Sequence, residues 1–150
     1  YRYKGGVEVN FPLLVAHLVN DFPDGWAMSC HTPSLGYLLG LCPPDVRIGA
    51  WVKPFAAFKR NVPVAYAWEP VIVKAIRKPV VSGRVVMRDW VSESITLRRG
   101  LTGAKPEAVC RWVFEVAGLG PDDEFIDLYP GTGAVQRAWD GWQSQLRKSA

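Results

Sequence analysis

Only three cysteines and two histidines occur in the 150 residues of the chain. Cys30, Cys42 and Cys110 are odd in number, widely spaced and without a C-x-x-C pair, which argues against a disulfide framework or a zinc site and makes a reducing cytoplasm the simplest setting. His17 and His31 stand alone without a third ligand, so no metal is expected. Long apolar runs are missing too. Nothing approaches the roughly 18 consecutive apolar residues of a membrane span, although 49% of the chain is hydrophobic and seven residues are Trp. There is no internal repeat, no low-complexity tract, and neither an h-region nor a cleavage pattern near Tyr1. Because the first residue is not Met, the natural protein is expected to extend further N-terminally. The expectation is one soluble globular domain over residues 1–150, with enough chain to bury a core.

Charge is present but unevenly spread. Twelve of the 18 Lys and Arg lie between Arg47 and Lys105, against three acids, Glu69, Asp89 and Glu93, so that segment carries +9 within a total of +4. Clustered bases of this kind suit a phosphate-facing surface, because they displace counterions from nucleic acid. A solvated loop region would show the same composition.

Periodicity gives alternating elements. Leu14, Val15, Leu18 and Val19 recur at helical spacing over Phe11 to Asp21, with Pro12 suited to a first turn. Gly25 to Cys30 reads as a short strand. Thr32 and Pro33 open a helix carrying Leu35, Leu38 and Leu39 until Pro43-Pro44 stops it. Asp45 to Val52 and Ala67 to Ile76 are the next strands, and Pro70 places the second of these at a sheet edge. Residues 78–104 lack clear periodicity and hold Arg84, Arg88, Arg98 and Arg99, which suggests an insertion or a recognition arm. Pro106 opens a helix with Val109, Trp112, Val113 and Val116 on one face, closed by Gly118 and Gly120. Glu124 to Tyr129 then reads as a strand, and Val135, Ala138, Trp139, Trp142 and Leu146 stripe a final helix. Strands alternating with helices predict an α/β fold, an open and mostly parallel sheet with helices on both faces.

In such sheets ligands sit at the carboxyl ends of strands, and Phe125-Ile-Asp-Leu-Tyr-Pro-Gly-Thr-Gly-Ala-Val135 supplies one. Its glycines permit a tight turn, and the helix behind presents free N–H groups. A triphosphate is disfavoured, because no Lys-Ser/Thr pair follows Gly131-Thr132-Gly133. A dinucleotide is weakened, since Gln136 stands where a third glycine belongs. S-adenosylmethionine needs only a short glycine turn and an acid such as Asp127. An ordinary strand-to-helix turn accounts for the same residues.

Lys105-Pro106, an amphipathic helix, a short acidic loop and Asp127-Leu-Tyr-Pro-Gly-Thr-Gly133 follow one another in an order that resembles the permuted amino-methyltransferases acting on adenine N6 or cytosine N4 of DNA. The likeness is closest to the compact adenine-methylating members of phages and actinobacteria. Trp51-Val52-Lys53-Pro54 and Trp68-Glu69-Pro70 are similar to that family's Trp-x-Lys-Pro and downstream Glu elements, and Gly25-Trp26 also matches. Leu128 and Tyr129 replace the family's Pro-Phe. The resemblance spans most of residues 11–145 and implies a Rossmann-like fold with methyl transfer from S-adenosylmethionine to an exocyclic DNA amine. Asp127, Leu128, Tyr129, Gly131, Thr132 and Gly133 would line the methionine end of the cofactor, with Lys105 and Pro106 beside it. Lys53, Lys59, Arg60, Arg84, Arg88, Arg98 and Arg99 would contact DNA. The family's Asp-Pro-Pro-aromatic catalytic signature does not occur in the chain and is expected before Tyr1. Cys42-Pro43-Pro44-Asp45 is a helix stop, with its acid on the wrong side.

Two other classes stay open on the sequence. A non-catalytic nucleic-acid-binding subunit would keep the basic middle without a cofactor, and a small-molecule methyltransferase would keep the turn without DNA affinity. Trp112, Trp139 and Trp142 are expected in the core. Trp51 and Trp68, beside Lys53 and Glu69, are candidates for the site as much as for the core.

Overall fold

The protein is described by a computed structural model over residues 9–55, 61–77, 86–95 and 104–149. Helix α1 covers Phe11–Asp21 as predicted. Asn10 caps it by accepting the Leu13 N–H at 3.1 Å, and Pro12 lies in the first turn, where its missing N–H costs nothing. Strand β1 (Trp26–Ser29) leads through a 3-10 turn at Thr32–Ser34 into the short helix α2 (Leu35–Leu39). Thr32 does not cap that segment. His31 stands at the cap position and makes no side-chain cap bond.

Three further strands complete the sheet: β2 (Arg47–Val52), β3 (Trp68–Lys74) and β4 (Trp90–Ser92). Their spatial order is β1-β3-β2-β4. β3 pairs antiparallel with both β1 and β2, and only β2 and β4 run parallel. The expected open, mostly parallel Rossmann-like sheet is therefore wrong. Neighbouring parallel strands need a crossover of a dozen or more residues, usually a helix. The α2 helix has five residues, and the described residues between β2 and β3 form no helix, so β3 returns antiparallel.

Two details differ for the same kind of reason. Pro70 lies in the central strand and not at an edge: it stands opposite Ala50 and is fully buried. Its carbonyl accepts the Cys30 N–H at 3.0 Å. The return bond that proline cannot donate would fall just past Ser29, where β1 stops, so the ladder loses little. The predicted strand at Glu124 to Tyr129 does not form, and that segment pairs with none of the four strands. Phe125 is held instead by helices, against Phe114 and Trp139.

Alternation along β3 sends neighbouring residues to opposite faces. Ile72 packs with Val15, Leu18, Trp26 and Leu38 beneath α1 and α2. Val71 and Val73 pack on the other face with Trp112, Val116 and Ala117 of α3 (Glu107–Ala117). The far side of α3 then meets α4 (Ala134–Ser149) through Cys110, Phe114, Ala138, Trp139 and Trp142. Gly118 ends α3 at φ 75°, and the Leu119 N–H returns to the Phe114 carbonyl at 3.0 Å, the glycine stop read from the sequence. Within 78–104, the described residues 86–95 include β4, so part of the supposed arm belongs to the sheet. No helix among the described residues is long and apolar enough to cross a membrane.

Gly49 is where α3 comes closest to the sheet. A Cβ there would lie 2.6 Å from the Trp112 ring, whose Nε1 donates to the Arg88 carbonyl at 3.0 Å and so resists moving. Gly49→Ala is expected to cost about 1–3 kcal/mol, as overpacking does. Urea denaturation measures it, and an unchanged midpoint would mean the ring is free to shift.

Candidate functional site

Sequence-distant elements meet at one end of the sheet. Trp51 on β2 lies directly opposite Glu69 on β3, and both side chains fall on the α3 side. Two residues past Trp51, Lys53 donates from Nζ to Glu69 Oε2 at 2.8 Å. Lys105, just ahead of α3, donates to the other oxygen, Oε1, at 2.6 Å. Both ammoniums also lie near the buried Trp51 ring, at 4.4 and 5.2 Å from its centroid. Trp51 Nε1 donates to the Glu93 carbonyl at 2.7 Å, which fixes the ring. Burial pushes the Glu69 carboxyl up, but Lys105 and Lys53 more than offset this and hold it below the usual carboxylate range. One carboxylate thus holds two cations, a net +1 on an aromatic floor.

The glycine turn lies ahead of α4. Gly131 and Gly133 have φ of 48° and 70°, a region that favours glycine. Asp127 Oδ1 accepts the Tyr129 N–H at 3.1 Å, the local bond of an Asx turn. Its other oxygen, Oδ2, is shut off from solvent without a hydrogen-bond partner. Leu128 and Tyr129 are exposed, Tyr129 at 63%. Pro106 stands at the N-cap of α3. Lys105 and Asp127 both act on the Cys110 thiol: burial first, with smaller help from Asp127, pushes it up to about 11 against the opposing pull of Lys105. Cys30 is likewise raised to about 11 by burial, then by Glu69 and Cys42, and Cys42 is raised by burial. All three cysteines are free, and at neutral pH they are thiols, which makes them poor nucleophiles.

Of the expected DNA contacts, Lys53 belongs to the carboxylate cluster, and Arg88 lies 5.1 Å from the Trp90 ring centroid on another part of the sheet. Lys59, Arg60, Arg84, Arg98 and Arg99 fall outside the described residues. Among the described residues, no group of three or more His, Cys, Asp and Glu is placed to hold a metal ion. A cavity of about 430 Å³ lined by Val9, Asn10, Phe11, Pro12 and Tyr37 shares no residue with this site.

Sequence reasoning named Glu69 as a motif element but did not make it the hub. The register Trp51 opposite Glu69 was the missing datum. It also missed Arg137, which donates from Nη1 to the Thr132 carbonyl at 2.9 Å and lies over Gly133. A base so near the positive end of a helix is unfavourable, and that was the available signal.

No family model, curated protein or solved structure matches the chain.

Proposed function

We propose that this chain forms the cofactor-binding and DNA-facing part of an S-adenosylmethionine-dependent DNA amino-methyltransferase of the cytoplasm, with adenine N6 the preferred acceptor. The observation that carries it is Asp127 Oδ2, a solvent-shielded acceptor with no partner, placed ahead of a turn whose two glycines have positive φ. Buried polar atoms are nearly always satisfied, so an orphan calls for a ligand that donates.

The donor set fits the methionine end of S-adenosylmethionine. When bound, that group supplies an electrophilic methyl carried on a sulfonium. Asp127 accepts a hydrogen bond from its amino group and balances part of its positive charge. Gly131 and Gly133 let the backbone come close, and Thr132, Leu128 and Tyr129 bound the same turn. The first N–H groups of α4 point out for the carboxylate. Lys105 and Pro106 flank the site, with Lys105 anchored on Glu69. Lys53 and Arg88 face DNA phosphates. The protonated thiols form no covalent intermediate, in keeping with a direct displacement.

Titration calorimetry with S-adenosylmethionine tests this. Wild-type protein should give a binding isotherm, and Asp127→Ala should weaken it by about tenfold or more, since a hydrogen bond to a charged group contributes about 1.5–3 kcal/mol. Absence of heat with wild-type protein would count against methyl transfer and in favour of a non-catalytic nucleic-acid-binding role.

A further inference from the structure

Among the described residues, cover of the sheet face opposite α3 is incomplete. Register places Ile48, Ala50 and Val52 of β2 beside Ile72, Pro70 and Trp68 of β3, and Trp90 of β4 beside Ala50. Ile72 is sealed beneath α1 and α2, but those helices stop short of β2 and β4. Ile48, Trp68 and Trp90 are therefore 41%, 37% and 42% exposed. Trp68 and Trp90 stand on either side of β2, two strand spacings apart across the sheet and two residues offset along it, about 12 Å in all. Small residues, Ala50 and Val52, lie between them. The exposed Tyr66, one residue beyond the Ala67 that bonds Lys53, extends the row, with its ring 4.5 Å from that of His31.

The charge on this face is positive. Arg88 places its guanidinium 5.1 Å from the Trp90 ring centroid. It forms no ion pair among the described residues, and it is exposed. It belongs to the segment that carries +9. By contrast, Lys74 and Arg77 are neutralised by Asp45 and Asp123.

We propose that this face is a platform for unpaired nucleic acid, with bases stacking on Trp90 and Trp68 and phosphates meeting Arg88. Half-exposed rings on an open sheet, with small residues between them and a cation at the margin, suit a single strand. Every base has a π-face to offer once it is unstacked, whereas a duplex hides those faces. An acidic or apolar protein surface would leave the spacing of the two rings unused. The proposal rests on the nucleic-acid half of the function above and deepens it: the protein would hold the strand from which a base has been unpaired.

Fluorescence anisotropy with an oligothymidylate of about 12 nucleotides, its abasic counterpart of equal charge, and a duplex of the same length tests it. The thymidylate should bind tightest and quench tryptophan emission. Trp90→Ala and Trp68→Ala should each weaken it by about tenfold, and Trp90→Phe should retain affinity. Circular dichroism confirms that each variant is folded, as half-exposed positions allow. Equal binding of the abasic strand, preference for duplex, or a self-associated dimer broken by Trp90→Ala would each overturn the platform. The heat of S-adenosylmethionine binding, unchanged by Trp90→Ala, separates the two questions: its absence in wild-type protein removes the methyl-transfer proposal alone.

Discussion

Replacing Phe114 by alanine is expected to lower the free energy of unfolding by about 3–5 kcal/mol, the usual cost of deleting a buried aromatic ring. Phe114 is 1% exposed and sits among three other rings: Phe125 at 5.4 Å, Trp139 at 5.3 Å and Trp142 at 5.5 Å between centroids. Such pairs add to area burial, so the truncation loses both packing and ring–ring attraction. Against a typical stability of about 5–15 kcal/mol, the loss is large. Urea titration should show a lower midpoint at unchanged slope. A loss below about 1 kcal/mol would mean that the neighbours collapse into the space, contrary to a tightly packed cluster. The consequence reaches the site, because this cluster seats α4, and the glycine turn is the entry to α4. Cofactor affinity should therefore fall with stability in this variant, although Phe114 lies in the hydrophobic cluster and not in the turn.

The second large effect is expected at Glu69. Glu69→Ala leaves two ammoniums, Lys53 and Lys105, facing each other over the Trp51 ring with no carboxylate between them. Breaking a buried pair costs about 3–5 kcal/mol. The lysines retain 19% and 26% side-chain exposure, so water screens part of the repulsion, and about 2–3 kcal/mol is the expected loss. The pH dependence has a definite sign. Because the folded carboxyl is held below its ordinary value of 4.5, its contribution is fully present above that value and disappears as pH falls through the lowered one. Wild-type melting temperature should therefore drop on acidification below about pH 4.5, and Glu69→Gln should lack that component while keeping the shape of the side chain. If the melting curves of wild type and Glu69→Gln ran parallel through the acid range, the triad would not be formed in solution. At neutral pH, Glu69→Gln should also raise DNA affinity and steepen its salt dependence, since one negative charge leaves a cationic surface.

Much of the local structure was legible because it depends on neighbours in the chain. The Leu and Val spacing of α1, Pro106 at the start of α3 and Gly118 at its end each act within a few residues of themselves. The three Trp residues striping α3 and α4 were readable as core for the same reason, a period of 3.6. Strand positions 26–29, 47–52 and 68–74 fell inside the predicted ones. The segment Glu124 to Tyr129 was not legible. An apolar run of that length serves equally as a strand or as a rope packed on helices, and Phe125 decided the matter by entering the aromatic cluster.

The sequence by itself determined the spans of α1, α3 and α4, the glycine stop of α3 and the glycine turn, and it singled out Trp51, Lys53, Glu69, Lys105 and Asp127 as candidates. Those properties follow from side-chain type and short-range spacing. Only the tertiary structure decided how the strands pair, and with that the fold class, because strand direction depends on how the chain returns across space. The same pairing put Trp51 opposite Glu69 and brought Lys53 and Lys105, 52 positions apart, onto one carboxylate. It also left Trp68 and Trp90 uncovered, since exposure depends on where α1 and α2 end over the sheet. Ion pairing and exposure are properties of three-dimensional neighbourhood, and no local pattern in the chain encodes them.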